Sequence, residues 1–231
     1  MCNSSVAKNH ILIIKNLLEG GVPVVFPQFG PWECGPQHGF ARRTKWTVKE
    51  EGDSSSDTAT FVLEDSDDTR KLWNYKFKFE YILTLVSDNE LKMEAVITNT
   101  GDKEFDFTFL LHTYFAVPDV KECAVKNNPD CFEENEEVKI SGATDRVYQR
   151  TSSTIKVKPI SGDREVIVEK TNLPDTVVWN PWEEGAKKME DFEDDEWKSM
   201  ICVEAGYVSS PYNLKSKQTF KASQLLTVSK L

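Results

Sequence analysis

Polar and apolar residues alternate along much of the chain, which is the pattern of half-buried β-strands. Residues 77–86 are rich in aromatic and β-branched side chains, and a polar turn at 87–90 separates them from the alternating segment 91–98. Two such segments around a short turn predict a β-hairpin. A further strand is predicted over 104–114, where apolar residues, most of them phenylalanine, recur at every second position.

More strand-like segments follow at 164–170, 176–179, 200–205 and 218–228. Many short strands separated by turns, with little helical periodicity, predict an all-β fold that is either a sandwich or a closed sheet. No internal repeat or long linker divides the chain. Because 231 residues suit one β domain, we expect a single domain over residues 1–231.

Two segments depart from the strand pattern. Residues 22–36 hold four of the ten prolines, which predicts a stiff, irregular loop that packing must hold in place. Residues 183–197 are acidic and carry spaced apolar residues, which predicts a short helix. We interpret their acidity as a solvated face rather than a calcium site, since no EF-hand loop pattern is present.

Composition narrows the classes of partner. The chain has 28 Lys and Arg against 38 Asp and Glu, a net charge of −10, which argues against nucleic-acid or anionic-membrane partners. An anionic small molecule needs only a few local cations and stays possible. The five cysteines are an odd number without a CxxC pair, which suits a reducing compartment, and no apolar stretch is long enough for a membrane helix. We therefore expect a cytoplasmic protein.

Two residues with acid–base chemistry stand out on the predicted strands. His112 lies on the strand face opposite the phenylalanines and would point to solvent or a cleft, although a hydrogen-bonded structural histidine is the commoner case. Glu204 closes the apolar run 200–205, where desolvation would raise its pKa as a general base or acid requires. The alternative for Glu204 is a strand-end carboxylate that reaches water.

Two further segments could contact a ligand. Gln37, His38 and Arg42 lie within six positions and could hydrogen-bond several hydroxyls or an anion, or could only satisfy the backbone of their own loop. The aromatic segment 177–182 could form a wall on which a sugar stacks, although such tryptophans more often pack in the core.

Six short motifs occur in order along the chain. They are Gly20-Gly21-Val22-Pro23, Phe26-Pro27-Gln28-Phe29-Gly30, Gln37-His38-Gly39-Phe40-Ala41-Arg42, Leu111-His112-Thr113-Tyr114-Phe115, Val178-Trp179-Asn180-Pro181-Trp182 and Cys202-Val203-Glu204. Each motif is short, but the ordered set is specific. Over about residues 20–231 the chain resembles the hexose-6-phosphate mutarotase branch of the aldose 1-epimerase family.

The resemblance implies a large antiparallel β-sandwich of the galactose mutarotase-like type, with few short helices and a sugar cleft on one sheet. It implies that His112 and Glu204 form the acid–base pair. Substrate contacts carried over from the family are Gln37, His38 and Arg42. Asp145, in the segment 144–148, is implied to contact sugar hydroxyls.

The activity that the resemblance implies is interconversion of the α and β anomers of an aldohexose 6-phosphate such as glucose 6-phosphate. Glu204 would act as base and His112 as acid, with the roles reversed on ring closure, and neither a metal nor another cofactor is expected. Arg42 would hold the phosphate. The expected partner is this small sugar phosphate alone, and we expect a monomer.

The N-terminal segment departs from the family pattern. Glu19 stands where the family has an arginine before the double glycine, and residues 1–19 do not resemble the opening strands of the family. We therefore expect an N-terminally shortened chain whose preference for a 6-phosphate is open. An unphosphorylated aldose mutarotase is the near alternative, and a non-catalytic carbohydrate-binding sandwich or degenerate homologue is the alternative from another class.

Overall fold

The computed structural model describes residues 21–49, 57–127, 137–161, 163–189 and 192–231. The atypical segment 1–19, including Glu19, lies outside the described residues. Within the described part, fifteen strands and two short α-helices are present, with two 3₁₀ turns. This confirms the all-β prediction.

The strands in chain order are β1 (Val24–Val25), β2 (Thr47–Lys49), β3 (Thr58–Glu64), β4 (Phe77–Ser87), β5 (Glu90–Asn99), β6 (Phe105–Leu111), β7 (Tyr114–Ala116), β8 (Ala124–Asn127), β9 (Glu137–Lys139), β10 (Thr144–Tyr148), β11 (Thr154–Ile160), β12 (Arg164–Thr171), β13 (Asp175–Asn180), β14 (Met200–Leu214) and β15 (Thr219–Lys230). The helices are α1 (Asp67–Leu72) and α2 (Trp182–Ala186), and the 3₁₀ turns are Ala41–Arg43 and Glu196–Ser199.

The strands form two antiparallel sheets. Nine strands make one sheet in the order β2-β3-β4-β5-β15-β12-β11-β8-β9. Six make the other, in the order β1-β6-β14-β13-β10 with β7 beside β14. This arrangement confirms the predicted large antiparallel sandwich and excludes the closed sheet.

The core lies between the sheets. The predicted phenylalanine stripe of β6 faces inward and packs against aromatic residues of β4 and β15, with edge-on ring contacts such as Phe79–Phe109 and Phe107–Phe220. A second cluster joins β11 and β12 to β14 through Val157, Val166 and Ile201. The residues that alternate with these inward-facing side chains point to the other face of the six-stranded sheet.

The predicted hairpin is confirmed as β4 and β5, which pair in antiparallel register from Phe77↔Asn99 to Ser87↔Glu90. The turn is tighter than the sequence indicated, because Ser87 and Glu90 belong to the strands. Burial alternates over residues 77–81 of β4 and 93–99 of β5, which explains why a period of two was visible there in the sequence.

The prediction of one strand over 104–114 is wrong at its end. Strand β6 ends at Leu111 and β7 begins at Tyr114. The amide of Thr113 donates to the carbonyl of Leu111 at 2.9 Å, and its hydroxyl donates to the same oxygen, so the chain turns locally. This break places His112 between two strands.

Hydrogen bonds hold the proline-rich segment 22–36 against β6, and the segment is not irregular throughout, because β1 lies within it and pairs with β6. The amide of Thr108 donates to the Pro27 carbonyl at 2.8 Å, and the amide of Phe29 donates to the Thr108 hydroxyl at 2.6 Å. The amide of His112, directly after β6, donates to the Pro23 carbonyl at 3.0 Å. The loop therefore lies alongside β6, next to His112.

The helices are short, and one of them was missed by the sequence analysis. Helix α1 begins at a capping box in which Ser66 and Thr69 satisfy each other's backbone amides. The short helix predicted within 183–197 corresponds to α2, which begins one residue earlier at Trp182. In the described part of the chain, no helix is long and apolar enough to span a membrane.

Candidate active site

His112 lies in the break between β6 and β7 and is nearly buried, with 9% of its surface exposed. Its ring stacks on Tyr114 with centroids 4.8 Å apart, and Trp179 meets it edge-on at 5.9 Å. Its Nδ1 atom has no hydrogen-bond partner within the protein. The imidazole is thus fixed by aromatic contacts while one ring nitrogen stays unpaired.

Glu204 reaches the same place from β14. Ala205 pairs with Leu111 and Cys202 with Tyr114, so this register puts Glu204 across from His112. The carboxylate is 1% exposed, and its Oε2 atom has no hydrogen-bond partner within the protein. A buried carboxyl without a partner is costly, which makes this one a candidate for chemistry rather than for stability.

The two groups face each other. His112 Nε2 and Glu204 Oε1 are 3.6 Å apart, slightly beyond hydrogen-bond length. Burial is the main cause that lowers the pKa of His112 to about 3, and the nearby His38 and Arg42 lower it further. Burial, followed by the charge of Asp145, raises the pKa of Glu204 well above its usual range. Burial therefore favours the uncharged form of both groups, a neutral imidazole on His112 and a protonated carboxyl on Glu204.

His38 and Gln37 approach the pair from the loop. The His38 ring lies edge-on to that of His112, with centroids 5.8 Å apart, and its Nδ1 accepts a hydrogen bond from the amide of Gly30. The Gln37 side-chain amide nitrogen lies 3.3 Å from His38 Nε2. Burial and then the charge of Arg42 lower the pKa of His38 to about 4, so this ring is neutral at pH 7.

Glycine is required next to His38. Gly39 has φ +75°, and a Cβ there would lie 2.2 Å from the carbonyl oxygen of Phe26. Only glycine allows this close approach of two backbone segments. The loop is thereby pressed against the sheet, and His38 is brought to the site.

Arg42 is the cation of the site. It lies in the 3₁₀ turn Ala41–Arg43, is exposed to solvent, and donates through Nη2 to the carbonyl of Gln37 at 3.1 Å. Its charge lowers the pKa of both His38 and His112, which places it within electrostatic reach of the pair. An exposed guanidinium beside a buried acid–base pair can hold an anionic end of a bound molecule.

Asp145 approaches from the opposite side. It lies on the edge strand β10, whose partner β13 pairs in turn with β14. The residue is exposed, and it lines an open pocket of about 310 Å³ together with Trp179, Asn180 and Met189. Its charge raises the pKa of Glu204, so Asp145 lies within electrostatic reach of the buried carboxyl.

Of the six residues named as site candidates from the sequence, His38 contacts His112, Gln37 contacts His38, and Arg42 and Asp145 lie within electrostatic reach of the His112–Glu204 pair. The pocket at Asp145 is lined by Trp179 but not by His112 or Glu204. The sequence allowed two interpretations of the aromatic segment 177–182, a wall on which a sugar stacks or packing in the core. In the structure its two tryptophans have different surroundings. Trp179 faces His112 and lines the pocket, whereas Trp182 packs on Trp197 with ring centroids 4.4 Å apart. Tyr114, which stacks on His112, was not singled out from the sequence.

Cys202 is a further neighbour without a role in the sequence analysis. It is buried on the same face of β14 as Glu204, two residues before it. Its partner on the neighbouring strand β13 is Trp179. The Cys202 Sγ, a ring nitrogen of His112 and a carboxylate oxygen of Glu204 lie within 4.8 Å of one another. These are the side chains at this site that could ligate a metal ion. The signal in the sequence was the spacing of two between Cys202 and Glu204.

A histidine and a carboxyl group that face each other in a buried, aromatic-lined site can move protons on a sugar. The unpaired Oε2 of Glu204 and Nδ1 of His112 leave capacity for hydrogen bonds to a ligand. Aromatic side chains such as Trp179 and Tyr114 offer flat apolar surface of the kind that packs on sugar rings. Arg42 at the rim adds affinity for an anionic group.

Comparisons with known proteins agree on one family. Residues 17–227 match the family model described as Aldose 1-epimerase. A protein of Cenchrus ciliaris named "Putative glucose-6-phosphate 1-epimerase" is 31% identical over 224 residues, which cover 88% of this chain and 68% of that protein. The Escherichia coli K12 protein of the same name is 30% identical over 244 residues, which cover 100% of this chain and 79% of that protein.

A solved structure is similar as well. The crystal structure described as "a putative mutarotase (YeaD)" from Salmonella typhimurium superposes with a TM-score of 0.79 at 27% sequence identity. The match covers 91% of this chain and 74% of that one.

Proposed function

The chain belongs to the aldose 1-epimerase family of sugar mutarotases, and we propose that it interconverts the α and β anomers of an aldohexose 6-phosphate, glucose 6-phosphate above all. The observation that carries the proposal is the 3.6 Å approach of His112 Nε2 to Glu204 Oε1, each group keeping one unpaired polar atom. The names of the relatives from Cenchrus ciliaris and Escherichia coli support the choice of substrate.

The reaction needs one base and one acid at the anomeric centre. The base takes the proton of the C1 hydroxyl while the acid protonates the ring oxygen, so the bond between C1 and the ring oxygen breaks and an aldehyde forms. Rotation about the C1–C2 bond presents the other face of the aldehyde. The C5 hydroxyl then adds to that face, and each proton returns to the group that gave it.

We assign Glu204 as base and His112 as acid in the opening step. Burial favours a protonated Glu204 and a neutral His112 in the free protein, so a proton must move to His112 before ring opening. Substrate binding favours this move in two ways. A C1 hydroxyl donating to the carboxylate stabilises its charged form, and a phosphate beside Arg42 offsets the positive charge that lowers the pKa of His112. The substrate thereby helps to set the protonation state that its own reaction uses.

The remaining residues bind the sugar in this account. Asp145 at the pocket rim accepts hydrogen bonds from hydroxyls. From the loop, the neutral His38 ring donates through Nε2 to a hydroxyl oxygen, because its Nδ1 already accepts from Gly30, and the Gln37 side-chain amide adds a further hydrogen bond. Trp179 packs against the ring. Arg42 binds the 6-phosphate through its guanidinium, which lets a chain of net charge −10 accept an anion.

The proposal is tested by measuring, with NMR, the rate at which the α and β anomers of an equilibrated sugar interconvert. We expect the protein to accelerate anomer exchange of glucose 6-phosphate more than that of glucose at the same concentration. Glu204→Gln should lose this acceleration, whereas Glu104→Gln, which changes an exposed carboxylate paired with Lys215, should keep it. Equal acceleration of both sugars would overturn the phosphate assignment, and no acceleration of either would overturn the enzymatic one.

A further inference from the structure

We propose that His112, Cys202 and Glu204 form a binding site for one thiophilic divalent cation, Zn²⁺ or Cd²⁺, and that occupation of this site blocks the acid–base pair. The binding half of the proposal stands on the geometry alone. The inhibitory half rests on the proposed function, because it needs an activity to block.

The three donor atoms are already close to a metal-site arrangement. They lie within 4.8 Å of one another, and the edge from His112 Nε2 to Glu204 Oε1 is 3.6 Å. In a tetrahedral zinc site with Zn–N, Zn–O and Zn–S bonds of about 2.0–2.3 Å, neighbouring donor atoms are about 3.3–3.5 Å apart. The histidine–glutamate edge therefore has nearly the required length, and the edges to the thiol need to shorten by little more than about 1 Å.

The donor types select the class of ion. An imidazole, a thiol and a carboxylate are the three ligand types that zinc accepts, and the sulfur favours Zn²⁺ or Cd²⁺ over Mg²⁺ or Ca²⁺, which prefer oxygen. On binding, the Cys202 thiol and the Glu204 carboxyl release their protons to the buffer, and the sulfur, the carboxylate oxygen and the imidazole nitrogen each donate an electron pair to the ion. No electron transfer is involved.

The backbone holds two of the ligands in place. Cys202 and Glu204 point to the same side of β14 because they are two residues apart, and His112 is anchored across from them by the hydrogen bond from its amide to Pro23. All three side chains are buried. Among the residues that the structure describes, this is the one group of three such ligands.

Occupation would be incompatible with catalysis. The ion would take the Nε2 and the carboxylate oxygen that face each other, so neither group could exchange a proton with the sugar. Three protein ligands leave one coordination position for water or a sugar hydroxyl. We therefore expect Zn²⁺ to compete with the sugar rather than to assist its reaction.

Cadmium titration of the whole protein tests binding without reference to activity. In the wild-type protein, the ultraviolet charge-transfer absorbance of thiolate-bound cadmium should rise as Cd²⁺ is added and level off at one equivalent per chain. It should rise equally in Cys34→Ser, which removes an exposed thiol elsewhere, and should be lost in Cys202→Ser and in His112→Gln. Circular dichroism checks that each variant is folded.

Zinc inhibition of anomer exchange then tests the second half, with each variant compared with its own metal-free rate. Saturating Zn²⁺ should slow wild type and Cys34→Ser by roughly 10²-fold or more, the usual contribution of acid–base catalysis, and should slow Cys202→Ser far less. If no equivalent of Cd²⁺ binds in a way that depends on Cys202, the proposed metal site is wrong, whether or not the protein is active. Such an equivalent in an inactive protein supports the site and contradicts the proposed function. Binding without inhibition of an active protein overturns the inhibitory half.

Discussion

Gln224 of the nine-stranded sheet donates a hydrogen bond of 3.0 Å to the hydroxyl of Thr113, which lies in the break between β6 and β7. Both side chains are fully buried, and Thr113 in turn donates to the carbonyl of Leu111. This contact crosses the core directly beside His112. It fixes the local turn that interrupts the strand, and with it the direction of the imidazole.

Removing the Thr113 hydroxyl should therefore slow catalysis without weakening sugar binding. We expect Thr113→Val to lower kcat by roughly 10–100-fold through misplacement of His112, with little change in KM. Thr113→Ser keeps the hydroxyl and should retain most of the activity. Steady-state kinetics of the two variants give the answer, and equal kcat in both would contradict a positioning role for this hydroxyl.

The pH dependence of the rate should reflect a pair that holds one proton. The doubly protonated pair forms only as pH falls through the pKa of His112 at about 3, and the fully deprotonated pair forms as pH rises through the raised pKa of Glu204. The rate should therefore show no acidic limb between pH 7 and 5, and should fall once the pH exceeds the raised pKa of Glu204. An acidic limb near the ordinary histidine pKa of about 6.5 would contradict this.

Asp145→Asn should move the alkaline limb of that profile. The charge of Asp145 raises the pKa of Glu204, after the larger effect of burial. Removing the charge should lower that pKa, so the rate should begin to fall at a lower pH than in wild type. A profile measured with both proteins at several ionic strengths checks the direction. An unchanged alkaline limb would mean that Asp145 does not act on Glu204.

Arg42 should distinguish a phosphorylated sugar from a free one. Loss of a charge-assisted contact of about 1.5–3 kcal/mol predicts that Arg42→Ala raises KM for glucose 6-phosphate by roughly 10–100-fold. KM for glucose should change much less. Arg43→Ala, which removes the neighbouring exposed guanidinium, is the matched control and should affect neither. Equal effects of the two substitutions would place the phosphate elsewhere.

Two glycines with the same backbone angle test the packing of the loop. Gly39 and Gly30 both have φ +75°, but an added Cβ meets the Phe26 carbonyl at Gly39 and nothing within 4 Å at Gly30. Gly30→Ala should cost about 1–2 kcal/mol of unfolding free energy for the strained angle. Gly39→Ala should cost more than about 3 kcal/mol, because backbone must also move. Denaturant unfolding of both variants measures this, and equal losses would contradict the close approach.

The local pattern of the chain was enough to predict the hairpin and the inward phenylalanines, because alternation with a period of two is a property of neighbouring residues. The same alternation correctly put His112 on the face opposite Phe109, and Glu204 on the face of Cys202. It did not predict the interruption at residues 112 and 113. That break depends on hydrogen bonds to Pro23 and Val203, which are distant in sequence.

The meeting of the site residues also required long-range information. Glu204 faces His112 because Ala205 pairs with Leu111, and this register follows from the assembled sheet rather than from either strand. Buried polar residues elsewhere were equally invisible in the sequence. Asp175 accepts bonds from the amides of Val208 and Ser209 where the register of β14 shifts, and nothing in its sequence neighbours indicated this.

The central claim is that His112 and Glu204 act as one acid–base unit on the anomeric carbon. Its most direct test is the rate of anomer exchange of glucose 6-phosphate with His112→Gln, Glu204→Gln and the double variant, each shown to be folded by circular dichroism. Each single change should lower the acceleration by roughly 10²–10⁴-fold. The double variant should be about as slow as the slower single one, since residues that act together do not lose activity additively. Wild-type rates in either single variant, or losses that multiply in the double variant, would contradict the claim.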